Sequence, residues 1–251
     1  MSENWFGADV AATYDRDTAP LSDPEVLEPM LDVLFEIAAG GSALEFAIGT
    51  GRVAIPLAAR GVPASGIELS APMLARMRDK AGGTESAIPV VVGDMATSRA
   101  PGAGTFSLVY LVFNTVANLT TQDAQVQCFR NAAAHLVPGG HFVVEVGVPA
   151  LVRLASGERY VVFERSDSHV GIDEYEIATQ RQWSHHIAFR SDGQVRRTST
   201  PFRYVWPAEL DLMARIAGMR LVHRWGDWDR SPFASHSTQH VSVWQKDTRP
   251  E

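Results

Sequence analysis

The sequence predicts an α/β fold. An open sheet of seven strands, mostly parallel with an antiparallel edge strand, carries an antiparallel β cap inserted after its fifth strand. Up to about residue 150, short apolar runs alternate with stretches of helical spacing, which is typical of a parallel sheet covered by helices. From Pro149 to about residue 205, apolar and polar residues alternate in segments separated by turns, which is typical of antiparallel hairpins.

Composition restricts the class of protein. The chain has 251 residues, enough for one α/β domain with an elaboration. Its net charge of −7 argues against a general nucleic-acid binder, because such proteins neutralise phosphates with Lys and Arg. Cys128 is the only cysteine, so neither an intrachain disulfide nor a cysteine-rich zinc site is expected. With no long apolar run and no signal-peptide pattern, we expect a cytoplasmic protein that does not span a membrane.

The first half of the chain predicts the first five strands. An N-terminal arm with scattered aromatic residues precedes a helix over 24–39. Apolar runs bounded by glycine, proline or polar turns then predict strands, and the stretches between them predict helices. The predicted strands are 43–48, 62–70, 88–95, 106–112 and 141–146, and the predicted helices are 52–60, 71–80 and 123–136.

The second half predicts the cap and the rest of the sheet. The predicted cap strands are 160–164, 174–184, 186–190, 195–200 and 202–205, with Ser191-Asp192-Gly193 as a tight turn. A helix over 208–217 and strands 219–225 and 240–245 complete the sheet at its edge. We divide the chain into an N-terminal arm and helix (1–40), a ligand-binding core (41–150), a cap for a second ligand (151–205) and a C-terminal part of the core (206–251).

The stretch Ser42–Leu57 predicts a ligand-binding turn. A buried strand is followed by Gly49-Thr50-Gly51 and then by a helix. A glycine turn in this place lets the backbone approach a ligand, while the helix points its free N–H groups there. The third glycine of the dinucleotide motif G-x-G-x-x-G is missing, since Ala54 or Ile55 stands where it is expected. The turn therefore favours a ligand other than a nicotinamide dinucleotide.

Two acids that follow the next strands suit a nucleoside. Glu68 lies about twenty residues past the glycine turn, and the ends of neighbouring strands lie side by side in a doubly wound sheet. Glu68 can therefore accept hydrogen bonds from both hydroxyls of a ribose. Asp94 and Met95 close the third apolar run and are placed to accept from an adenine amino group and to cover the ring.

The order E-x-A-x-G-x-G, then an acid, then Gly93-Asp94-Met95 resembles the class I S-adenosylmethionine-dependent methyltransferases, whose core is Rossmann-like. The resemblance covers about residues 10–150 and implies S-adenosylmethionine as donor and S-adenosylhomocysteine as product. It implies that Glu45 and the loop 47–51 face the methionine portion of the donor. Ala47 departs from the family, which usually has a glycine there, and its methyl group makes the approach slightly less close. The predicted donor-binding residues are Tyr14, Glu45, Ala47, Gly49, Thr50, Gly51, Glu68, Leu69, Met73, Asp94, Met95 and Phe113.

Tyr14 and His185 are the candidate catalytic residues. The stretch Val10–Asp15 resembles the A-x-x-Y-D segment of many small-molecule methyltransferases, in which the tyrosine folds over the donor near its sulfonium. Methyl transfer is an in-line displacement that depends mainly on alignment, so no strong catalytic motif is expected. Histidine is the best base near neutral pH, and His185 lies on a predicted cap strand. The chain has no H-E-x-x-H motif, and no metal is expected.

The acceptor is expected after the fourth strand and under the cap. The family places the reacting methyl beside the stretch that follows this strand, here Phe113–Leu119. The predicted acceptor-binding residues are Asn114, Asn118, Trp183, Arg203 and Tyr204. The aromatic and basic residues of the cap suit a flat or anionic acceptor, and they equally suit an ordinary half-buried sheet.

The sequence thus predicts methyl transfer to a small-molecule acceptor, with the accepting O, N or C atom left open. A methyltransferase of RNA or protein is one alternative, although it would need a basic patch that the net charge does not favour. A non-catalytic S-adenosylmethionine-binding protein is another, although such a protein has no reason to keep Glu68 and Asp94. No nucleic-acid or membrane partner is expected, and the protein is expected to be a monomer or a homodimer.

Overall fold

The computed structural model describes residues 4–81, 88–190 and 192–248. Its helices are α1 (Ala8–Asp17), α2 (Pro24–Ala38), α3 (Ala54–Ala59), α4 (Ala71–Ala81), α5 (Gln122–His135) and α6 (Pro207–Ile216). Its strands are β1 (Ala43–Phe46), β2 (Ala64–Glu68), β3 (Val90–Val92), β4 (Phe106–Leu111), β5 (Leu136–Gly147), β6 (Tyr160–Arg165), β7 (His169–Glu176), β8 (Arg181–Phe189), β9 (Val195–Arg203), β10 (Met219–Trp225) and β11 (Gln239–Lys246). In these three segments, no helix has the length and apolar character needed to cross a membrane.

The main sheet has seven strands in the order β10-β11-β5-β4-β1-β2-β3. Strands β1 to β5 pair in parallel, and β11 runs antiparallel to both β5 and β10. The predicted fold class is confirmed. The antiparallel strand β11 lies one place in from the edge, because β10 pairs with its outer side. β1 and β2 are parallel neighbours in the sheet, so their C-terminal ends lie side by side at the same edge.

Both faces of this sheet are covered, which explains why its strands are almost continuously apolar. On one face, Phe142 of β5 and Trp244 of β11 pack with Phe129 of α5 and with residues of α6. On the other face, Val143 of β5 packs in the same cluster as Leu34 of α2. Successive strand residues point to opposite faces, so a strand between two helical layers needs apolar residues at every position.

The second sheet is antiparallel, in the order β6-β7-β8-β9, and it is inserted after β5 as predicted. The single strand predicted over 174–184 is wrong, because the chain turns between β7 and β8 with Gln180 at a φ of 55°. The segments predicted at 195–200 and 202–205 form one strand, β9, and its Pro201 is tolerated because β9 lies at the sheet edge. Of the predicted tight turn, Ser191 lies outside the described residues. The division into arm, core, cap and C-terminal part stays a prediction.

Candidate active site

The glycine turn after β1 has left-handed backbone conformations. Ala47, Gly49 and Gly51 have φ values of 52°, 60° and 78°. A Cβ on Gly51 would lie 2.7 Å from Cδ1 of Ile55 and 2.9 Å from Cγ of Met77, so a larger residue would displace both side chains. Ala47 carries a Cβ at a φ that costs an L residue roughly 1–2 kcal/mol. The absence of the expected glycine at position 47 therefore affects the backbone as well as the room for a ligand.

Glu68 connects this turn to the end of β2. One carboxylate oxygen accepts a hydrogen bond from the backbone N–H of Gly49 at 2.7 Å, and the other accepts from the N–H of Ser70 at 2.7 Å. Glu68 is buried, and burial raises the pKa of its carboxyl even though these backbone hydrogen bonds lower it. The acid is thereby held in one orientation directly beside the glycine turn.

A cavity opens beside this turn, with about 690 Å³ of open space including its mouth. Nine of the residues predicted to bind donor or acceptor line it: Tyr14, Ala47, Gly49, Glu68, Leu69, Met73, Asp94, Met95 and Asn118. They come from α1, the glycine turn, and the segments that follow β2, β3 and β4. The structure thus brings together side chains from five separate parts of the chain.

The part of the cavity next to the end of β3 is lined by apolar side chains and by the carboxylate of Asp94. The backbone N–H of Gly93 donates to the carbonyl of Glu68 at 2.8 Å, and Oδ1 of Asp94 accepts from the N–H of Ala96 at 2.8 Å. Ile67 and Met95 line the cavity here. A flat heteroaromatic ring with an amino group would find apolar contact and a hydrogen-bond acceptor at this end.

Four residues predicted to face the donor, Phe113 among them, are not among those that line the cavity. Glu45 is buried beneath the turn, where a carboxyl oxygen accepts a hydrogen bond from the hydroxyl of Tyr110 at 3.0 Å. Burial raises the pKa of Glu45 to about 8. The hydroxyl of Thr50 points instead to Asp15 of α1, at 2.6 Å. Gly51 is packed against Ile55.

The turn after β4 has an unusual backbone. Phe113 and Asn114 have φ values of 58° and 59°, a conformation that a bulky residue such as phenylalanine rarely adopts. Three hydrogen bonds with β5 hold it: the N–H of Phe113 donates to the carboxylate of Glu145 at 2.8 Å, the N–H of Asn114 donates to the carbonyl of Glu145 at 3.3 Å, and the side-chain oxygen of Asn114 accepts from the N–H of Gly147. Asn114 therefore has a structural partner, while the ring of Phe113 is 40% exposed with the Arg52 guanidinium 5.7 Å from its centre.

Comparison with known proteins identifies the family. A model described as a methyltransferase domain matches residues 43–140. The structure of the CcbJ methyltransferase from Streptomyces caelestis is 38% identical, with a TM-score of 0.78 over 88% of this chain and 90% of that one. The chain belongs to the class I S-adenosylmethionine-dependent methyltransferases. The methyl donor is S-adenosylmethionine, as the sequence predicts.

Two further relatives of this methyltransferase were found. The cypemycin N-terminal methyltransferase of a Streptomyces species is 26% identical over 214 residues, which is 82% of this chain and 84% of that protein. CalS10, an amino pentose methyltransferase from Micromonospora echinaspora whose structure holds bound S-adenosylmethionine, has a TM-score of 0.67. It is 20% identical, and the match covers 97% of this chain and 99% of that one, so it shares the fold including the inserted sheet.

Two cap residues predicted to bind the acceptor of this methyltransferase, Arg203 and Tyr204, do not line the cavity. Arg203 is buried and donates to Gln125, to Gln180 and to the carboxylate of Glu209, the last at 2.7 Å. Tyr204 is 5% exposed and packs edge-on against Tyr175. The Arg203 side chain is held between β9, α5 and α6, and the Tyr204 ring packs against β6 and β7, so neither is presented to a ligand.

The other two cap residues lie within the second sheet. The two ring nitrogens of His185 lie 2.7 Å from the hydroxyl of Ser199 and 3.2 Å from the carboxylate of Glu174. Trp183 lies across from Glu174 on β7 and Pro201 on β9. Neither residue lines the cavity, and among the described residues no cluster of histidine, cysteine and acidic side chains could hold a metal ion.

One wall of the cavity was not predicted from the sequence. Asn4, Trp5 and Phe6 of the N-terminal arm line it, and the Phe6 ring packs edge-on against Tyr14 with ring centres 6.1 Å apart. The adjacent aromatic pair Trp5-Phe6 was a signal, because two large apolar side chains in a polar arm need a surface to cover. Ile67 was missed as well. Gly93, Thr115 and Leu119 lie within the quoted motif Gly93–Met95 and the stretch Phe113–Leu119, but they were not predicted individually.

Proposed function

We propose that this methyltransferase transfers the methyl group to an amine nitrogen of a small-molecule acceptor. The observation that carries this is the cavity lining. Among the described residues that line the cavity, none is a histidine, lysine, arginine or cysteine, and the carboxylates are those of Glu68 and Asp94 beside β2 and β3. A neutral amine already has the lone pair that attacks the methyl carbon, so alignment is enough. A hydroxyl acceptor attacks well only when a base takes its proton.

The names of two relatives support an acceptor that carries an amino group. One is named for methylation at the N-terminus of cypemycin, and the other for an amino pentose. Both matches extend over four fifths or more of this chain, and the second, at 97%, includes the cap region as well as the core. A small acceptor also agrees with the net charge of −7, which gives no general attraction for RNA.

We assign the parts of the cavity as follows. Glu68 accepts hydrogen bonds from the ribose hydroxyls, and Asp94 with Met95 receives the adenine. The donor, when bound, supplies a methyl group that is already activated by the sulfonium. Tyr14 lies against that group, while Asn118 and Thr115 after β4 orient the acceptor by hydrogen bonds. The inserted sheet, within residues 151–205, covers the acceptor.

The test is a transfer assay with S-adenosylmethionine labelled in its methyl group. Purified protein is incubated with panels of matched acceptors: amino sugars, amino acids and short peptides with free amino termini, and the corresponding hydroxyl compounds and phenols. We expect label in an amine, and we expect the rate to rise with pH as the acceptor's own amine loses its proton. Acetylated versions of the same amines are the negative control.

Two results would overturn the proposal. Transfer to hydroxyl compounds but not to their amino counterparts would move the acceptor atom to oxygen. Label that enters only folded protein or RNA would replace the small-molecule class by a macromolecule. A Glu68→Ala variant included in the same assay distinguishes enzymatic transfer from spontaneous methylation, because it weakens donor binding without changing the acceptor.

A further inference from the structure

The N-terminal arm covers the donor cavity with little apolar anchoring of its own. Trp5, Phe6 and Tyr14 line the cavity. In α1, however, Ala11 is the one buried residue. A helix that buries a single small side chain gains little from the hydrophobic effect. Besides the Phe6–Tyr14 ring contact, polar contacts therefore contribute to the position of this wall.

Asp15 makes the central polar contact. A single carboxylate oxygen, Oδ1, accepts a hydrogen bond from the hydroxyl of Thr50 at 2.6 Å and from the ammonium of Lys80 at 2.9 Å. Thr50 belongs to the glycine turn and is 2% exposed, and Lys80 lies in the last turn of α4. Burial alone would raise the pKa of Asp15, but these two hydrogen bonds, together with the charges of Lys80 and Arg76, outweigh it and lower the pKa, which favours the charged form.

Both elements that Asp15 contacts belong to the donor cavity. The glycine turn lines it with Ala47 and Gly49, and α4 lines it with Met73. Asp15 and Tyr14 are successive residues of α1, so their side chains leave the helix about 100° apart. When Asp15 is held against the turn and α4, Tyr14 is directed into the cavity. A further polar contact of the arm, from the hydroxyl of Ser70 to the carbonyl of Phe6, lies nine residues before Asp15 and does not set this angle.

We infer that Asp15 is a positioning residue for the donor: its bonds to Thr50 and Lys80 hold α1 against the glycine turn, so that Tyr14 meets the bound donor. This inference concerns the donor, which the family establishes, and it does not depend on the identity of the acceptor. It also explains why the hydroxyl of Thr50 turns away from the cavity.

The test is a double-mutant cycle on donor binding, measured by calorimetric titration of the full chain with S-adenosylhomocysteine. Asp15→Ala is expected to raise the dissociation constant about tenfold. Tyr14→Phe is expected to raise it severalfold in the parent chain and by less than twofold in the Asp15→Ala background, because Tyr14 is no longer aligned there. Asp17→Ala, which removes an exposed acid two residues away whose ion pair is with Arg16, is the matched control and is expected to leave the constant unchanged.

Conservative variants separate positioning from general folding. Thr50→Ser keeps the hydroxyl and is expected to bind like the parent, whereas Thr50→Val is expected to behave like Asp15→Ala. The ligand-free melting temperature of Asp15→Ala should stay within about 2 °C of the parent, because partly exposed ion pairs add little stability. An unchanged dissociation constant in Asp15→Ala, or a Tyr14→Phe effect of equal size in both backgrounds, would overturn the inference. If Asp15→Ala fails to fold, the comparison of Thr50→Ser with Thr50→Val decides the question.

Discussion

The carboxylate of Glu68 accepts a hydrogen bond from the backbone N–H of Gly49 at 2.7 Å, which joins the end of β2 to the glycine turn after β1. The other oxygen accepts from the N–H of Ser70, also at 2.7 Å. Each carboxylate oxygen has two lone pairs, so both oxygens keep the capacity to accept from a ligand hydroxyl. One residue thus shapes the turn and offers acceptors at the cavity wall.

Replacing Glu68 should weaken donor binding. Glu68→Ala removes the ribose acceptors and leaves the N–H of Gly49 without its partner, which should cost about 1–3 kcal/mol, or roughly 5- to 150-fold in the dissociation constant. Calorimetric titration with S-adenosylhomocysteine measures it. The exposed Glu158, replaced by alanine, serves as control. Equal affinity of Glu68→Ala and the parent would refute the ribose assignment.

Asp94 should recognise the amino group of the adenine. Asp94→Ala is expected to lower the affinity for S-adenosylhomocysteine about tenfold, since a ligand donor loses its acceptor. The analogue S-inosylhomocysteine has a carbonyl in place of that amino group, so the parent should bind it weakly and the variant should bind it no worse. Comparing the two ligands on one protein removes any general effect of losing the bond to Ala96. Loss of both affinities in equal proportion would mean that Asp94 only supports the loop.

The stability of the ligand-free protein should fall as pH rises because of Glu45. Burial raises the pKa of Glu45 to about 8, from an ordinary value of 4.5. Between pH 4.5 and about pH 8, the folded chain therefore keeps on Glu45 a proton that the unfolded chain has released. The stabilisation from this proton is complete below the unfolded-state pKa of Glu45 and is lost as pH rises through the folded-state pKa. Over this range the free energy of unfolding falls by up to about 1.4 kcal/mol per pH unit.

Glu45→Gln should flatten this pH dependence. The amide is the same size, carries no ionisable proton and can still accept from Tyr110. The free energy of unfolding is measured by urea unfolding at about pH 5 and at about pH 8 for both proteins. Its fall between the two pH values is expected to be larger in the parent than in the variant, by on the order of 2–4 kcal/mol. Identical profiles for the two proteins would mean that Glu45 is ionised in the folded state.

Arg203 should act on stability rather than on ligand binding. Its guanidinium is buried against Glu209 and Gln125, and Arg203→Ala would leave a carboxylate without its cation. Breaking a buried pair in this way typically costs about 3–5 kcal/mol. We expect that loss in urea unfolding, with the donor dissociation constant changed less than twofold. Arg181→Ala, at the exposed position paired with Arg203, is the control. A stable Arg203→Ala variant with an impaired KM for the acceptor would restore the sequence-based prediction of acceptor contact.

Sequence patterns predicted the core well because its signals are local. A strand buried on both faces must be apolar throughout, and a turn that packs against Ile55 and Met77 must use glycine at position 51. The cap was harder to predict. In the alternating stretch 174–184, no glycine or proline marks the turn, which instead places Gln180 in a left-handed conformation. The break between β7 and β8 therefore had no signal in the sequence.

The sequence by itself determined the fold class, the family and the place of the donor, because Gly49, Glu68 and Asp94 follow strands whose order in the sheet obeys general rules. Only the tertiary structure decided which side chains reach the cavity. The hydroxyl of Thr50 turns to Asp15, 35 residues earlier, and Arg203 turns to Gln125, 78 residues earlier. Packing between distant segments determines these partners, because a polar group can be buried without a large cost only where it has a hydrogen-bond partner. No local pattern carries that information.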